Sequence, residues 1–257
     1  MRIEGKVALI TGASEGIGRA CAEALAKRGA NLTLVARSEK KLKTVARTED
    51  AVIVGDITQA ETREQAVVQT LTKFGRIDIL INIAGIGLYA PSWKTPLEDA
   101  RRMFELNFFA PLALVQLAAP HMRQRHSGTI VNVSSVAGCA TLPWLTLYSA
   151  SKAALESMTE GLRIELRKDG IRTLTVCPGY VQTGFQSHVL AGAPPSKIAR
   201  TRKLAITPQQ CAETIARGIE RDARTIMAPW SGWLFVWARR LFPALVDAQL
   251  AAILHDV

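Results

Sequence analysis

Tyr148 and Lys152 stand four residues apart in Tyr148-Ser-Ala-Ser-Lys152, so on a helix the phenol and the ammonium share one face. A tyrosine titrates near ~10 in water, and a fixed positive charge within a few ångströms favours the phenolate and draws that value toward working pH. The spacing therefore predicts a phenolic acid/base held ready by an amine. An ordinary amphipathic turn, with Tyr half buried and Lys in water, gives the same spacing and is the commoner outcome for an isolated pair. Two features weigh against coincidence here. Ser134-Ser135 closes the apolar run at residues 129–133, with Ser135 thirteen residues before Tyr148, and a glycine-rich turn stands near the amino end.

The segments that must position these groups read as alternating strands and helices. Residues 6–10 are apolar without alternation, as in a strand buried on both faces of a parallel sheet. Thr11-Gly12-Ala-Ser-Glu15-Gly16-Ile-Gly18 follows and opens into a helix with Ile17, Cys21 and Leu25 on one side and Glu23, Lys27 and Arg28 opposite. Gly12 permits a tight turn, Gly16 lets backbone N–H groups approach a diphosphate, and Gly18 lets helix and sheet pack closely, at a helix end that favours negative charge. Directly after a first strand, this reads as a dinucleotide site. Residues 31–36 form the second strand, where an acidic residue at the end would bind a ribose 2′-hydroxyl and an arginine would accommodate a 2′-phosphate. Arg37-Ser38 stands there, with planar bidentate phosphate recognition and a hydroxyl beside it, so NADP(H) is expected ahead of NAD(H). Glu15, in the glycine turn, opposes that choice by repelling the extra phosphate.

Further along, residues 38–47 read as a helix, 51–55 as the third strand, 62–74 as a helix and 77–81 as the fourth strand. Asp56, followed by Ile57, sits at a strand's carboxyl end, as a partner for an adenine amino group or as a helix cap. In Asn82-Ile-Ala84-Gly85 the small residues let the backbone lie against a cofactor ribose. Residues 97–125 form a long helical tract in which Asn107 is a poor helix former. Pro111, four residues on, has no N–H for the Asn107 carbonyl, leaving that oxygen for a water. Residues 129–133 make the fifth strand, 148–167 a helix, and 173–177 the sixth strand, ending in Pro178-Gly179. Residues 184–206 read as a mobile lid, Thr207 and Pro208 start a helix, and 224–228 make a last strand.

At 257 residues the chain can bury a substantial core, and no linker interrupts it. Cys21, Cys139, Cys177 and Cys211 are scattered, with no C-x-x-C pair and no nearby His, so they read as core thiols of a reducing compartment and no metal site is expected. The first strand begins almost at Met1, which leaves no room for a leader, and a cytoplasmic protein is expected. The formal net charge of +10 is compatible with nucleic acid, anionic membrane, phosphorylated ligands or a basic soluble surface. No basic-aromatic motif of groove size accompanies it, so nucleic acid is not expected as a partner.

With these residues in place, the chain resembles the short-chain dehydrogenase/reductase family over residues 3–228. The family's T-G-x-x-x-G-x-G lies at Thr11 to Gly18, its Y-x-x-x-K at Tyr148 to Lys152, its serine at Ser135, its asparagine at Asn107 and its P-G at Pro178-Gly179. Its N-N-A-G is altered, with Ile83 at the second place, which implies a weakened sheet contact and an intact catalytic set. The resemblance implies an α/β fold: a single-domain, doubly wound parallel sheet of Rossmann type over residues 1–228, with helices on both faces. It also implies NADP(H)-dependent interconversion of a carbonyl and a secondary alcohol. In that reading Ser135 orients and polarises the carbonyl, Tyr148 is the general acid, and Lys152 binds the nicotinamide ribose and depresses the tyrosine pKa. Asn107 holds a relay water through its backbone, and Thr183 binds the carboxamide. The implied cofactor-binding set is Gly12, Ser14, Gly16, Ile17, Gly18, Arg37, Ser38, Asp56, Ile57, Asn82, Ala84, Gly85, Tyr148, Lys152, Pro178, Gly179, Val181 and Thr183. A catalytically silent NADP(H)-binding regulator or scaffold is the alternative; the intact Asn107, Ser135, Tyr148 and Lys152 argue against it.

Leu88, Tyr89, Leu142, Trp144 and Leu145 flank the expected pocket and point to a lipophilic substrate. The long helices starting at Leu97 and Tyr148 carry more apolar positions than one sheet face covers, so a homodimer or homotetramer is expected. Residues 229–257 form an aromatic and basic extension. Trp230, Trp233 and Trp237 stand at i, i+3 and i+7 with Arg239 and Arg240 after them, and residues 197–240 hold nine basic and three acidic residues. That layout predicts either packing on the domain or a neighbouring subunit, or a peripheral segment lying on anionic membrane; it is too short to span one.

Overall fold

The computed structural model describes residues 1–185, 189–192 and 205–254. Seven strands form one sheet: β1 (Val7–Thr11), β2 (Asn31–Ala36), β3 (Ala51–Val54), β4 (Ile79–Asn82), β5 (Gly128–Val133), β6 (Ile171–Pro178) and β7 (Thr225–Ala228). Their order is β3-β2-β1-β4-β5-β6-β7, and every neighbouring pair is parallel. Central strands in such a sheet bury both faces, which is why every residue of β1 and β5 is buried. The chain adds strands outward from β1 to β3, then restarts on the other side of β1 at β4. The strand order reverses there, and ligands of open parallel sheets bind in the crevice outside the carboxyl ends at such a point.

The helices are α1 (Gly16–Ala26), α2 (Glu39–Lys43), α3 (Ala60–Phe74), α4 (Leu97–Phe104), α5 (Ala110–Gln124), α6 (Val136–Cys139), α7 (Thr146–Glu165), α8 (Pro208–Glu220), α9 (Gly232–Leu241) and α10 (Pro243–Leu254). Successive strand residues point to opposite faces, so β1 sends Ile10 to one core and Leu9 to the other. Ile10, Leu34 and Ile81 pack with Cys21 and Leu25 of α1 and Ile215 of α8. Leu9, Leu80 and Ile130 pack with Val67 of α3, Leu114 of α5 and Leu162 of α7. This is the doubly wound α/β architecture expected from the sequence. The buried Asp78 carboxylate ties its lower edge, accepting from Val7 N at 2.9 Å and pairing with Arg76 and with Arg125 at 3.2 Å.

Local chemistry explains most element ends. Thr207 and Gln210 form a reciprocal capping box before Pro208 at the first turn of α8. The helix expected at 38–47 stops at Lys43, where the Thr44 hydroxyl donates to the Lys41 carbonyl. The tract at 97–125 is helical but not uniform: Glu105–Phe109 is a π turn between α4 and α5, with Asn107 at its centre. Of the lid at 184–206, residues 186–188 and 193–204 lie outside the described residues. Its described parts return to the cleft, with Tyr89 N donating to Ala191 O at 3.0 Å and Leu190 N to Gly87 O at 2.9 Å.

The tail is split. Val236 is fully buried and packs with Ala140, Cys177 and Met227, and Trp233 leans on the same cluster. Trp230 and Trp237, 65% and 50% exposed, face outward. The helical spacing of the three tryptophans is realised in part: Trp230 precedes the helix, while Trp233 and Trp237 stack with ring centroids 6.4 Å apart and Trp233 also leans toward β7 and α6.

Candidate active site

The carboxyl ends of β1, β4, β5 and β6 open on a cleft of about 1520 Å³. At one end β1 runs into the glycine turn. Gly12 and Gly16 hold φ of 67° and 54°, left-handed values that a side chain resists. A Cβ at Gly18 would stand 2.0 Å from the Gly12 carbonyl oxygen, so only glycine lets α1 come this close to the turn. The result is a backbone cradle with the N-terminus of α1 aimed into it, which favours phosphate. Ser14, Ile17, Arg37, Ser38, Asp56 and Ile57 line the same end. Ser38 caps α2 by accepting from Lys41 N, and Asp56 accepts from Thr58 N at 3.0 Å and from its hydroxyl at 2.9 Å. Asp56 thus stabilises the turn before α3, whose cap residue is Gln59.

At the other end, α7 brings Tyr148 and Lys152 to one face beneath Ser135. The Lys152 ammonium lies 5.9 Å from the Tyr148 ring centroid and donates to the Val133 carbonyl at 2.8 Å. Ser135 caps α6, accepting from Ala137 N at 3.1 Å. Burial lowers the Lys152 pKa to about 8, with the nearby Glu156 carboxylate opposing the shift. The sequence expectation for Tyr148 is not met: burial pushes the phenol above its ordinary value, a hydrogen bond with Ser135 pulls it down, and Tyr89 adds to the rise. Phe185 sits with its centroid 5.8 Å from that of Tyr148, and Tyr89, Leu142 and Leu145 complete an apolar wall.

The cleft collects Gly12, Gly16, Gly18, Ala84, Gly85, Ser135, Tyr148, Lys152, Pro178, Gly179, Val181 and Thr183 along with the residues named above. Four expected residues lie elsewhere. Asn82 is buried behind the wall, donating to Asn132 Oδ1 at 2.8 Å, while Asn132 donates to Thr159 Oγ1 at 2.8 Å, a chain that ties β4 to β5 and α7. Leu88 and Trp144 also stand off the wall. Asn107 is fully buried beneath the cleft. Its side chain accepts from Ile86 N at 2.9 Å and donates to Ile86 O at 2.9 Å and to Ser151 Oγ at 3.0 Å, locking the loop after β4 to α7.

Lys41, Phe185 and Glu156 were not among the expected site residues. Lys41 reaches Glu15 at 2.5 Å and so offsets the acidic charge in the glycine turn; only its place among the basic residues after Ser38 hinted at this. Glu156, one turn beyond Lys152, had its signal in the i,i+4 spacing. Phe185 carried none.

A parallel sheet with a glycine cradle at the strand-order reversal, and a Ser-Tyr-Lys cluster across the same cleft, defines a nucleotide-binding protein of the oxidoreductase type. The chain belongs to the short-chain dehydrogenase/reductase family: a family model described as short chain dehydrogenase matches residues 6–193. An uncharacterized oxidoreductase of Staphylococcus saprophyticus is 38% identical over 200 residues, covering 75% of this chain and 86% of that one. An 11-beta-hydroxysteroid dehydrogenase-like protein of Arabidopsis thaliana is 34% identical over 257 residues, covering 96% and 81%. Among solved structures, a short-chain dehydrogenase/reductase of Burkholderia phymatum in complex with NAD superposes with a TM-score of 0.85 at 28% identity, covering 95% and 96%. One from Burkholderia cenocepacia in complex with NADP gives 0.83 at 29%, covering 97% and 99%.

Proposed function

We propose that this protein interconverts a lipophilic ketone and its secondary alcohol with NADP(H). The observation that carries the reading is the convergence of Ser135, Tyr148 and Lys152 at the apolar end of a cleft whose other end is a glycine phosphate cradle. NADP(H), when bound, supplies or accepts the hydride. The chain's own groups do the rest. Ser135 donates to the carbonyl oxygen and orients it, and Tyr148 Oη gives that oxygen its proton as negative charge develops there. The proton is later replaced from solvent through Lys152 and the backbone at Asn107, whose side chain holds that segment in place.

Burial disfavours the phenolate of Tyr148, and the neighbouring Lys152 ammonium is the group placed to oppose that penalty. That ammonium lowers the free energy of the phenolate at the moment of transfer, in a site from which water is excluded. Arg37 and Ser38 would hold the 2′-phosphate, and the Lys41–Glu15 pair removes the repulsion that Glu15 alone would exert. Pro178, Gly179, Val181 and Thr183 form the wall on which the carboxamide end of the cofactor would rest. The apolar set Tyr89, Leu142, Leu145 and Phe185 supports a lipophilic substrate. A panel of ketones and alcohols scored by NADPH and NADH absorbance tests this: turnover of apolar ketones with NADPH preferred is expected, and turnover only of small polar carbonyls, or preference for NADH, would overturn it.

The same reading extends to assembly and location. Phe109 and Ile164, 48% and 77% exposed, lie on the outward faces of the π turn and α7, and we assign them to a homodimer or homotetramer interface. Residues 1–228 would form the catalytic domain, with 229–257 as an extension on its flank. Trp230 and Trp237 beside Arg239 and Arg240 suit peripheral contact with anionic lipid, from a chain whose four free cysteines fit a reducing, cytoplasmic setting. Co-sedimentation with anionic vesicles should fall in the Trp230→Ser, Trp237→Ser double variant; equal partitioning onto neutral vesicles would leave the tail as protein packing alone.

A further inference from the structure

Behind the proposed catalytic cluster, three elements bring together side chains that the sequence keeps apart. Cys139 ends α6, Cys177 lies in β6, 38 residues on, and Glu156 projects from α7 one turn beyond Lys152. Cys139 Sγ is 3.5 Å from Cys177 Sγ and 3.6 Å from Glu156 Oε1, and Cys177 Sγ is 3.7 Å from the same oxygen. The three donor atoms form a nearly equilateral triangle. Zinc bonds of about 2.3 Å to sulfur and about 2.0–2.2 Å to carboxylate oxygen imply, for a tetrahedral ion, edges of about 3.8 Å between sulfurs and about 3.6 Å between sulfur and oxygen. The triangle therefore has the dimensions of one face of a tetrahedral thiolate site, with the ion about 0.8 Å out of its plane.

Two independent observations indicate that the pocket is built around the carboxylate. A Cβ at Gly138 would stand 2.3 Å from Glu156 Oε1, so the glycine between the serines and Cys139 leaves the space the carboxylate fills. Ser134 Oγ donates to Glu156 Oε1 at 2.6 Å, the outer hydrogen bond that a ligating carboxylate ordinarily receives. The other contacts to this half-buried carboxylate come from two thiols, weak donors for a charge removed from water. The absence of C-x-x-C spacing led the sequence to predict no metal site, because it could not show that α6 and β6 converge.

We propose that Cys139, Glu156 and Cys177 bind a thiophilic divalent cation of the zinc type, with the fourth position open to water. Binding displaces one proton from each thiol, and the cation joins the two thiolates and the carboxylate; no electron moves and no oxidant is required. The ion would tie together the segments carrying Ser135, Lys152 and Pro178, four residues before Cys139, four before Glu156 and one after Cys177. Its role is that of a clamp behind the cleft, and the proposal does not depend on the substrate or on turnover.

The test uses the full chain, reduced and stripped of metal. Titration with Co²⁺ should give one ion per chain, a thiolate-to-cobalt charge-transfer band in the near ultraviolet, displacement by Zn²⁺ and release of about two protons per ion. Zn²⁺ should raise the thermal midpoint, since the three ligands converge only in the folded state. Cys139→Ser should weaken binding by at least ~100-fold, more than the loss of an outer-shell partner does, and Glu156→Gln should weaken it as well. Cys21→Ser, on the far face of the sheet, should change nothing. Because Cys139 is half buried, folding of its variant is checked by near-ultraviolet circular dichroism, with Cys139→Ala as a second variant. The proposal fails if folded wild-type protein shows no thiolate band, if binding survives in Cys139→Ser and Cys139→Ala, or if it is lost in Cys21→Ser.

Discussion

Replacing Lys152 with Met should stabilise the protein at neutral pH while disabling it. The ammonium is buried, and its pKa falls from 10.5 to about 8 on folding, a difference worth about 3 kcal/mol at about 1.4 kcal/mol per unit. The hydrogen bond to the Val133 carbonyl is lost in the variant, which returns about 1 kcal/mol. Met is unbranched and apolar and fits the same channel, so the variant should gain about 2 kcal/mol at pH 7. Below pH 8 the lysine is charged in both states and the full burial penalty applies. Between pH 8 and 10.5 the unfolded chain holds more protons than the fold, so stability from this group rises with pH. Above 10.5 both states are neutral and the penalty is gone. Guanidinium unfolding of both proteins, at one protein concentration, should show the variant ahead at pH 7 by about 2 kcal/mol and the gap shrinking above pH 8 and crossing zero before pH 10.5. A variant less stable at pH 7, or a gap that does not change with pH, would refute the reasoning.

Arg37→Asp should move the preference from NADPH toward NADH by at least ~10-fold, since a charge-assisted phosphate contact is replaced by repulsion; steady-state kinetics with both cofactors reads this directly. Asn107→Ala should lower stability by about 2–4 kcal/mol, because Ile86 loses both backbone partners in a buried site, and turnover should fall with it; denaturation and initial rates check the two effects separately.

The sheet was legible because parallel strands buried on both faces leave uninterrupted apolar runs, and the glycine turn because its backbone conformation excludes side chains. Tyr148, Lys152 and Ser135 were legible as a pattern of types and distances along the chain. What escaped was anything set by convergence in space. The spacing of Asn107 and Pro111 pointed to a free carbonyl, yet the asparagine side chain also bridges Ile86 and Ser151 across a π turn. The Tyr148 pKa was read from its charged neighbour alone, and burial, which periodicity does not measure, reversed its direction. Asn82 belongs to the cofactor motif by sequence, but its amide N–H group joins β4 to β5. Glu15 looked like an obstacle to a 2′-phosphate until α2 brought Lys41 to it. The tail tryptophans share a helical spacing, but the helix begins after Trp230, so only Trp233 and Trp237 stack, and Trp233 also packs toward Met227 and Ala140.

The central claim is that Tyr148 is the proton donor, and Tyr148→Phe tests it most directly. The ring is buried against Phe185 and Leu145, and Phe keeps that packing, so folding and nucleotide affinity should be preserved. Turnover of a ketone that the wild type reduces should fall by about 100-fold or more, the scale of a lost general acid, with NADPH binding by fluorescence titration unchanged. Near-wild-type turnover in a folded, NADPH-binding Tyr148→Phe variant would contradict the claim.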